Sequence, residues 1–128
     1  MLGTFLQVAL GGAAGAVLRY GAGLLMLRAG GGAVAGVPLP ILTVNVVGSF
    51  LMGAFVVWAG QRSMMHLSPL VMTGLLGGFT TFSAFSLEAY TLIERGQVGA
   101  AVTYVGLSAG LSIVALMLGV IMMRGMLA

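Results

Sequence analysis

The sequence predicts an all-α membrane protein with four transmembrane helices per subunit. Hydrophobic residues make up 60% of the 128 residues and charged residues only 5%, whereas soluble domains carry about 25% charged residues. Turn-forming residues separate four apolar stretches, near residues 4–27, 39–60, 67–94 and 99–123, and each is long enough for a span, which needs about 20 apolar residues. We therefore interpret residues 1–128 as a single four-helix transmembrane domain.

The first two spans are defined by their flanking residues. The N-terminal apolar run lacks a basic segment before it and continues past Tyr20, so we interpret it as a retained span rather than a signal peptide. Within it, Gly11 and Gly15 have the GxxxG spacing that allows another helix to approach closely. A glycine run at residues 30–32 predicts a loop, and Pro40 suits the first turn of the second span.

The third span is interrupted by polar residues. Glycines and hydroxyl side chains between residues 77 and 83 lie where a span is normally uniformly apolar. Irregular backbone at membrane depth is tolerated only where it is buried in protein or lines a wet cavity. We therefore expect the third helix to break at mid-membrane, at a functional position.

The arginines predict how the chain inserts. Arg62 and Arg124 fall on one side of the four predicted spans, and Arg28 and Arg95 fall on the other. Because the Lys/Arg bias between short loops sets orientation, this balance favours dual topology. Two opposite orientations would assemble naturally as an antiparallel homodimer about a two-fold axis in the membrane plane. An orientation set by Arg19, by His66 or by helper factors is the alternative.

Composition excludes several classes of function. The chain has no cysteine, so it has no disulfide framework, thiolate metal site or cysteine nucleophile. The net charge of +3 comes from scattered arginines that form no basic patch, so we expect no nucleic-acid partner. A single histidine, His66, lies near a loop without a metal or nucleophile constellation, so we do not expect an enzyme.

Polar side chains inside the second and fourth spans are candidates for a transport path. Asn45 lies well inside the second span, and it is either an interhelical hydrogen-bonding group or an NH₂ donor to an anion. Tyr104, Ser108 and Ser112 recur every four residues, which places their hydroxyls on one face of the fourth helix. Such hydroxyls either join helices or form a neutral donor track for a dehydrating anion.

Aromatic and charged residues extend this candidate path. Phe82 and Phe85 project from similar faces, and Glu88 follows at the same interval. Their rings either pack or turn a positive edge toward an anion. Glu88 is a proton-coupled carboxylate, a pore-side group or a partner of Arg19, since ionisable groups inside spans are functional candidates. Arg19 either attracts anions or is structural, snorkelling from its span or pairing.

The chain as a whole resembles the Fluc (CrcB-type) family of small fluoride channels. Three segments carry the resemblance: Gly11–Tyr20, Thr43–Phe50 and, most specifically, Gly77–Ser86. The resemblance implies an antiparallel dual-topology dimer with two fluoride pores. It also implies a structural sodium ion at the dimer interface, for which we expect the backbone carbonyls of Gly77 and Thr80 as ligands. Our hypothesis is passive fluoride export, and a short uncleaved chain of this kind suits a bacterial cytoplasmic (inner) membrane.

The same resemblance assigns side chains to the fluoride path. Phe82 and Phe85 are the expected aromatic pair, and Asn45 is the expected amide donor. The complete set of expected path residues is Asn45, Thr81, Phe82, Ser83, Phe85, Glu88, Tyr104, Ser108 and Ser112.

Two other functions are compatible with four small spans. A dual-topology, proton-coupled exporter of organic cations would need a membrane carboxylate, for which Glu88 is the only candidate in this chain. A purely structural membrane subunit would conduct nothing. Flux measurements separate both from a fluoride channel.

Overall fold

A computed structural model describes residues 1–128 as a mainly helical protein. Four helical regions are apolar and long enough to cross a membrane, which confirms the predicted helical membrane class. The elements in chain order are α1 (Leu2–Arg28), β1 (Ala33–Val34), β2 (Val37–Pro38), α2 (Leu39–Gln61), a 3₁₀ turn (Met65–Leu67), a π-helical segment (Pro69–Leu76), α3 (Gly77–Phe79), α4 (Phe82–Glu94) and α5 (Val98–Leu127).

The third membrane-spanning region is not one continuous α-helix. It begins as the π-helical segment, continues into the single turn of α3, and leaves helical geometry at Thr80 and Thr81 before α4 begins. Both threonines have extended backbone angles, with φ/ψ of −87°/158° and −152°/126°. The Thr81 hydroxyl accepts a hydrogen bond from the Ala84 amide and so caps the start of α4.

Glycines bring α1 against the third region at backbone contact. A Cβ atom on Gly11 or Gly15 would overlap the backbone of residues 70–79, and a Cβ on Gly78 would lie 2.6 Å from the Gly12 carbonyl oxygen. Such close packing is the usual function of small residues between membrane helices. The close approach predicted from the Gly11–Gly15 spacing is therefore confirmed.

A second glycine contact joins α2 to α5. A Cβ on Gly53 would overlap the Leu116 carbonyl oxygen, and a Cβ on Gly119 would overlap the Phe50 carbonyl oxygen. Both glycines are buried. The two helices therefore touch through their backbones, which fixes how the polar residues of α2 face those of α5.

A short hairpin covers the other end of this pair. Strands β1 and β2 pair antiparallel, and Val37 of β2 is buried in a cluster with Leu42, Leu92 and Tyr104. The ring of Tyr104 is fully buried there. This packing fixes the position of the Tyr104 side chain near α4.

We expect Gly119→Ala to lower the free energy of unfolding by about 1–3 kcal/mol, because the added methyl group meets immovable backbone of α2. Gly110→Ala is the matched control on the same helix, since a Cβ atom at that position would have no other atom within 4 Å. Denaturant titration in mixed micelles measures the free energy of unfolding of both purified variants. Equal stability of the two variants would contradict the backbone contact.

Candidate functional site

A cavity of about 390 Å³ lies where α2, the Thr80–Thr81 interruption, α4 and α5 meet. It contains no charged side chain. Its walls combine hydroxyl and amide groups with two aromatic rings. The lining residues are Asn45, Gly48, Ser49, Met52, Thr80, Thr81, Phe82, Phe85, Ser108, Ala109, Ser112, Ile113 and Leu116.

The Asn45 side chain of α2 holds the interruption through two hydrogen bonds to one residue. Its Oδ1 accepts from the Thr81 amide at 2.8 Å, and its Nδ2 donates to the Thr81 carbonyl at 3.0 Å. The sequence left open whether Asn45 is an interhelical hydrogen-bonding residue or a free donor lining a path. In the structure, the side chain lines the cavity and both of its polar atoms are bonded to Thr81.

Arg19 of α1 also contacts the backbone next to the interruption. Its Nε donates to the Gly78 carbonyl at 3.2 Å. Glu88 is not its partner, since Glu88 Oε2 accepts a hydrogen bond from the Tyr104 hydroxyl instead. Arg19 therefore has a structural hydrogen bond that satisfies a carbonyl near the end of α3.

The aromatic rings form a chain from the cavity toward α5. The ring centroids of Phe82 and Phe85 are 5.4 Å apart, and those of Phe85 and Tyr104 are 5.2 Å apart. Both pairs are tilted, with interplanar angles of 52° and 48°, and both separations are within the range of aromatic contacts. Phe82 is 79% exposed, so most of its ring is available for contact outside this chain.

The Ser108 hydroxyl is buried and has no hydrogen-bond partner within the protein. It differs from other hydroxyls on these helices, since Ser86 and Thr103 each donate to the carbonyl four residues earlier. A buried polar group without a partner costs about 1–3 kcal/mol. Because Ser108 lines the cavity, a ligand there would supply the missing partner.

The interruption also releases several backbone carbonyls from their helical partners, among them those of Gly77 and Thr80. In a continuous helix, the Thr81 amide would donate to the Gly77 carbonyl, but here it donates to Asn45. Likewise, the Ala84 amide would donate to the Thr80 carbonyl, but it donates to the Thr81 hydroxyl. Carbonyl oxygens freed in this way are the donor type that a hard cation prefers. Side-chain metal ligands are not grouped anywhere in the chain.

The structure brings together six of the predicted path residues in the cavity wall: Asn45, Thr81, Phe82, Phe85, Ser108 and Ser112. Three others lie beside it. The Ser83 hydroxyl is 3.5 Å from the Thr81 hydroxyl. Tyr104 and Glu88 bond to each other, and Tyr104 packs on the Phe85 ring.

Sequence reasoning missed Gly48, Ser49 and Met52 as cavity residues. The spacing of Asn45, Gly48, Ser49 and Met52 follows one face of α2, at intervals of three and four residues, so helical periodicity was the available signal. The hydrogen bond from Arg19 to the Gly78 carbonyl had no such signal, because it joins residues far apart in the chain.

Comparison with known proteins places this arrangement in a family. A family model described as "CrcB-like protein, Camphor Resistance (CrcB)" matches residues 6–120. The chain belongs to the CrcB family. It is therefore a multi-pass integral membrane protein, in agreement with its four apolar helical regions.

Several relatives of this CrcB-family protein carry a functional name. A Ruegeria sp. (strain TM1040) protein named "Fluoride-specific ion channel FluC" is 62% identical over 127 residues, which cover 99% of each chain. A Jannaschia sp. (strain CCS1) protein of the same name is 69% identical over 105 residues, covering 80% of this chain and all of its own. A third, from Roseobacter denitrificans, is 56% identical over 124 residues, covering 95% of this chain and 96% of its own.

We expect Tyr104→Phe to destabilise this CrcB-family protein by about 1–3 kcal/mol, because Glu88 would lose its hydrogen-bond donor in a partly buried position. Tyr90→Phe, which alters an exposed ring on α4, is the matched control. The free energy of unfolding in mixed micelles reports both effects. If Tyr104→Phe were as stable as the control, the bond to Glu88 would contribute nothing.

Proposed function

We propose that this protein is a passive, fluoride-selective ion channel that exports fluoride across a bacterial cytoplasmic membrane. The proposal is supported by family membership and by relatives named as fluoride-specific ion channels. It assigns transport rather than catalysis to the chain. The cavity bounded by α2, α4 and α5 is then part of the fluoride path.

The chemistry of this cavity suits a small anion that must lose water. Hydroxyl groups of Thr81, Ser108 and Ser112 offer hydrogen-bond donors without a full positive charge. The unpartnered Ser108 hydroxyl is the observation that carries the proposal, because it is a buried donor with nothing else to bind. Weak neutral sites allow an ion to enter and also to leave, which conduction requires.

The aromatic pair would supply a second type of weak contact. An aromatic ring has a positive edge, so Phe82 or Phe85 turned edge-on would attract an anion without a tightly binding charge. Asn45 lines the same path while its amide holds Thr81. Ser83 and the Tyr104–Glu88 pair would adjoin the path rather than form its narrowest part.

The proposed assembly is an antiparallel, dual-topology homodimer with two pores. The even distribution of arginines between the two sides supports two orientations. The Thr80–Thr81 interruption would lie at mid-membrane in this dimer. Irregular backbone at that depth must be covered by protein or line a wet cavity. A groove of about 680 Å³ between α1 and the third region offers apolar surface for the second subunit.

A structural sodium ion at the subunit interface completes the proposal. Its ligands would be the carbonyl oxygens of Gly77 and Thr80, which the interruption releases from their helical partners. Oxygen ligands from unwound membrane helices are a known way to hold such cations. The ion would supply positive charge that joins two subunits, while the chain's own residues bind fluoride.

The decisive test is anion efflux from liposomes that contain the purified protein in sodium buffer. We expect rapid fluoride release from fluoride-loaded liposomes and no chloride release from chloride-loaded ones, because in the proposed channel neutral donors replace the hydration shell of a small anion and fail to fit chloride. A fluoride-selective electrode and a chloride electrode measure the two rates. Cation transport that depends on a proton gradient, without fluoride release, would instead identify a coupled exporter. No flux of either kind would indicate a structural subunit.

We expect Ser108→Ala to slow fluoride efflux by about tenfold without lowering stability, because the lost hydroxyl has no partner in the protein. Thr103→Val is the matched control on α5, since its hydroxyl bonds only to its own helix at the Gly99 carbonyl. Efflux rate and unfolding free energy are measured for both. Unchanged efflux from Ser108→Ala would remove this hydroxyl from the path.

A further inference from the structure

The Thr80 amide still donates to the Leu76 carbonyl, but the Thr81 amide needs a partner that its own helix no longer provides. A buried amide or carbonyl left unpaired in a membrane costs several kcal/mol. The pairing must come from another element, and α2 is the element that supplies it. Two positions on one face of α2, Asn45 and Gly48, contact the interruption.

Asn45 satisfies the Thr81 backbone completely. The amide side chain matches a peptide group in shape, so one residue accepts from the Thr81 N–H and donates to the Thr81 C=O. By accepting from the Thr81 N–H, Asn45 prevents that group from closing the helical bond to the Gly77 carbonyl. The open carbonyl of Gly77 is therefore a consequence of a side chain on α2.

Gly48 provides the space for the neighbouring threonine. A Cβ built on Gly48 would overlap the Cγ2 methyl of Thr80 and would lie 3.3 Å from Cδ2 of Phe79. The Thr80 hydroxyl points the other way and donates to the Leu76 carbonyl at 2.9 Å. The Thr80 side chain is thus held by a hydrogen bond to its own helix, while its methyl group occupies the space that Gly48 leaves on α2.

We infer that Asn45 and Gly48 form a socket on α2 that holds Thr80 and Thr81 unwound and thereby exposes the carbonyls of Gly77 and Thr80. The inference rests on the proposed function, which assigns those carbonyls to a cation and the cavity to fluoride. Both socket residues are positioning residues. Because Asn45 and Thr81 also line the cavity, one contact sets the geometry of the fluoride path and of the cation site.

The sequence allows this backbone to be observed directly. Thr80–Thr81 is the only pair of adjacent threonines in the chain. Labelling threonine with a ¹³C carbonyl and ¹⁵N therefore gives a single cross-peak in an amide–carbonyl correlation spectrum. That peak reports the Thr80 carbonyl and the Thr81 amide in the intact protein. No serine precedes a threonine in this chain. In variants that carry Thr80→Ser, a ¹³C carbonyl label on serine and a ¹⁵N label on threonine therefore give the equivalent single peak.

For Asn45→Ala, we expect the Thr80–Thr81 peak to move toward helical shifts or to broaden, because both hydrogen bonds to Thr81 are lost. In the unmodified protein, we expect the peak to shift when sodium chloride replaces N-methylglucamine chloride, because the Thr80 carbonyl is a proposed sodium ligand. In Asn45→Ala this sodium-dependent shift should disappear. Fluoride efflux should fall at least about tenfold, the effect of two lost hydrogen bonds. If the peak and its sodium response were unchanged while efflux fell, Asn45 would act on the ion directly and the inference would be wrong.

Gly48 offers a test by rescue. Gly48→Ala should shift the peak and slow efflux, although alanine is the better helix former. Adding Thr80→Ser should restore the efflux rate and return the peak to its position in the Thr80→Ser single variant. Serine lacks the clashing methyl and keeps the hydroxyl that bonds to the Leu76 carbonyl. Gly60→Ala is the matched control on α2, since its built Cβ meets nothing within 4 Å. A Gly48→Ala defect that Thr80→Ser does not relieve would overturn the socket.

Failure of the proposed function would look different. In that case the unmodified protein would release no fluoride, whereas the peak of the unmodified protein would still show extended shifts that Asn45→Ala and Gly48→Ala disturb. Extended shifts in all variants would overturn the socket even if the unmodified protein conducts fluoride.

Discussion

The structure depends on how an interrupted membrane-spanning region pairs the backbone groups that its own helix leaves without partners, since an unpaired buried group costs free energy. The region unwinds at Thr80 and Thr81, and the Thr81 amide is one of the groups that lose a helical partner. Asn45 of α2 accepts from this amide and also donates to the Thr81 carbonyl, and Arg19 of α1 donates to the Gly78 carbonyl just before the break. The interruption is therefore stabilised by tertiary hydrogen bonds from two other helices.

Those bonds are possible only because the helices approach at backbone distance. Glycines on α1 and on the third region remove the side chains that would separate them, and Gly53 and Gly119 do the same between α2 and α5. Apolar attraction gives little specificity between helices in lipid, so contacts between small residues and polar bonds determine the packing. Polar groups from three helices consequently converge on one cavity.

The cavity contains donors but no full charge, although a carboxylate lies nearby. Glu88 is directed to Tyr104, whose ring is fixed by the hairpin and by Phe85. The acid is thus held beside the cavity, not in it, and the cavity wall consists of hydroxyl, amide and aromatic groups. For an anion path this arrangement avoids both repulsion by a carboxylate and trapping by a cation.

Hydropathy and polar residues act locally, so the amino-acid sequence was enough to predict the membrane class, the four apolar helical regions and the position at which the third region is interrupted. The hydrogen bonds that hold this interruption open come from other helices. Helical spacing also placed Ser108 and Ser112 on one face, and the glycine spacing at Gly11 and Gly15 predicted a close helix contact. The hydrogen-bond partners of the polar side chains are set by how the helices pack together. Asn45 bonds to Thr81, Arg19 bonds to Gly78 and Glu88 bonds to Tyr104, and Arg19 and Glu88 do not pair. Partner choice depends on which helix faces meet, and local sequence does not specify contacts between residues tens of positions apart.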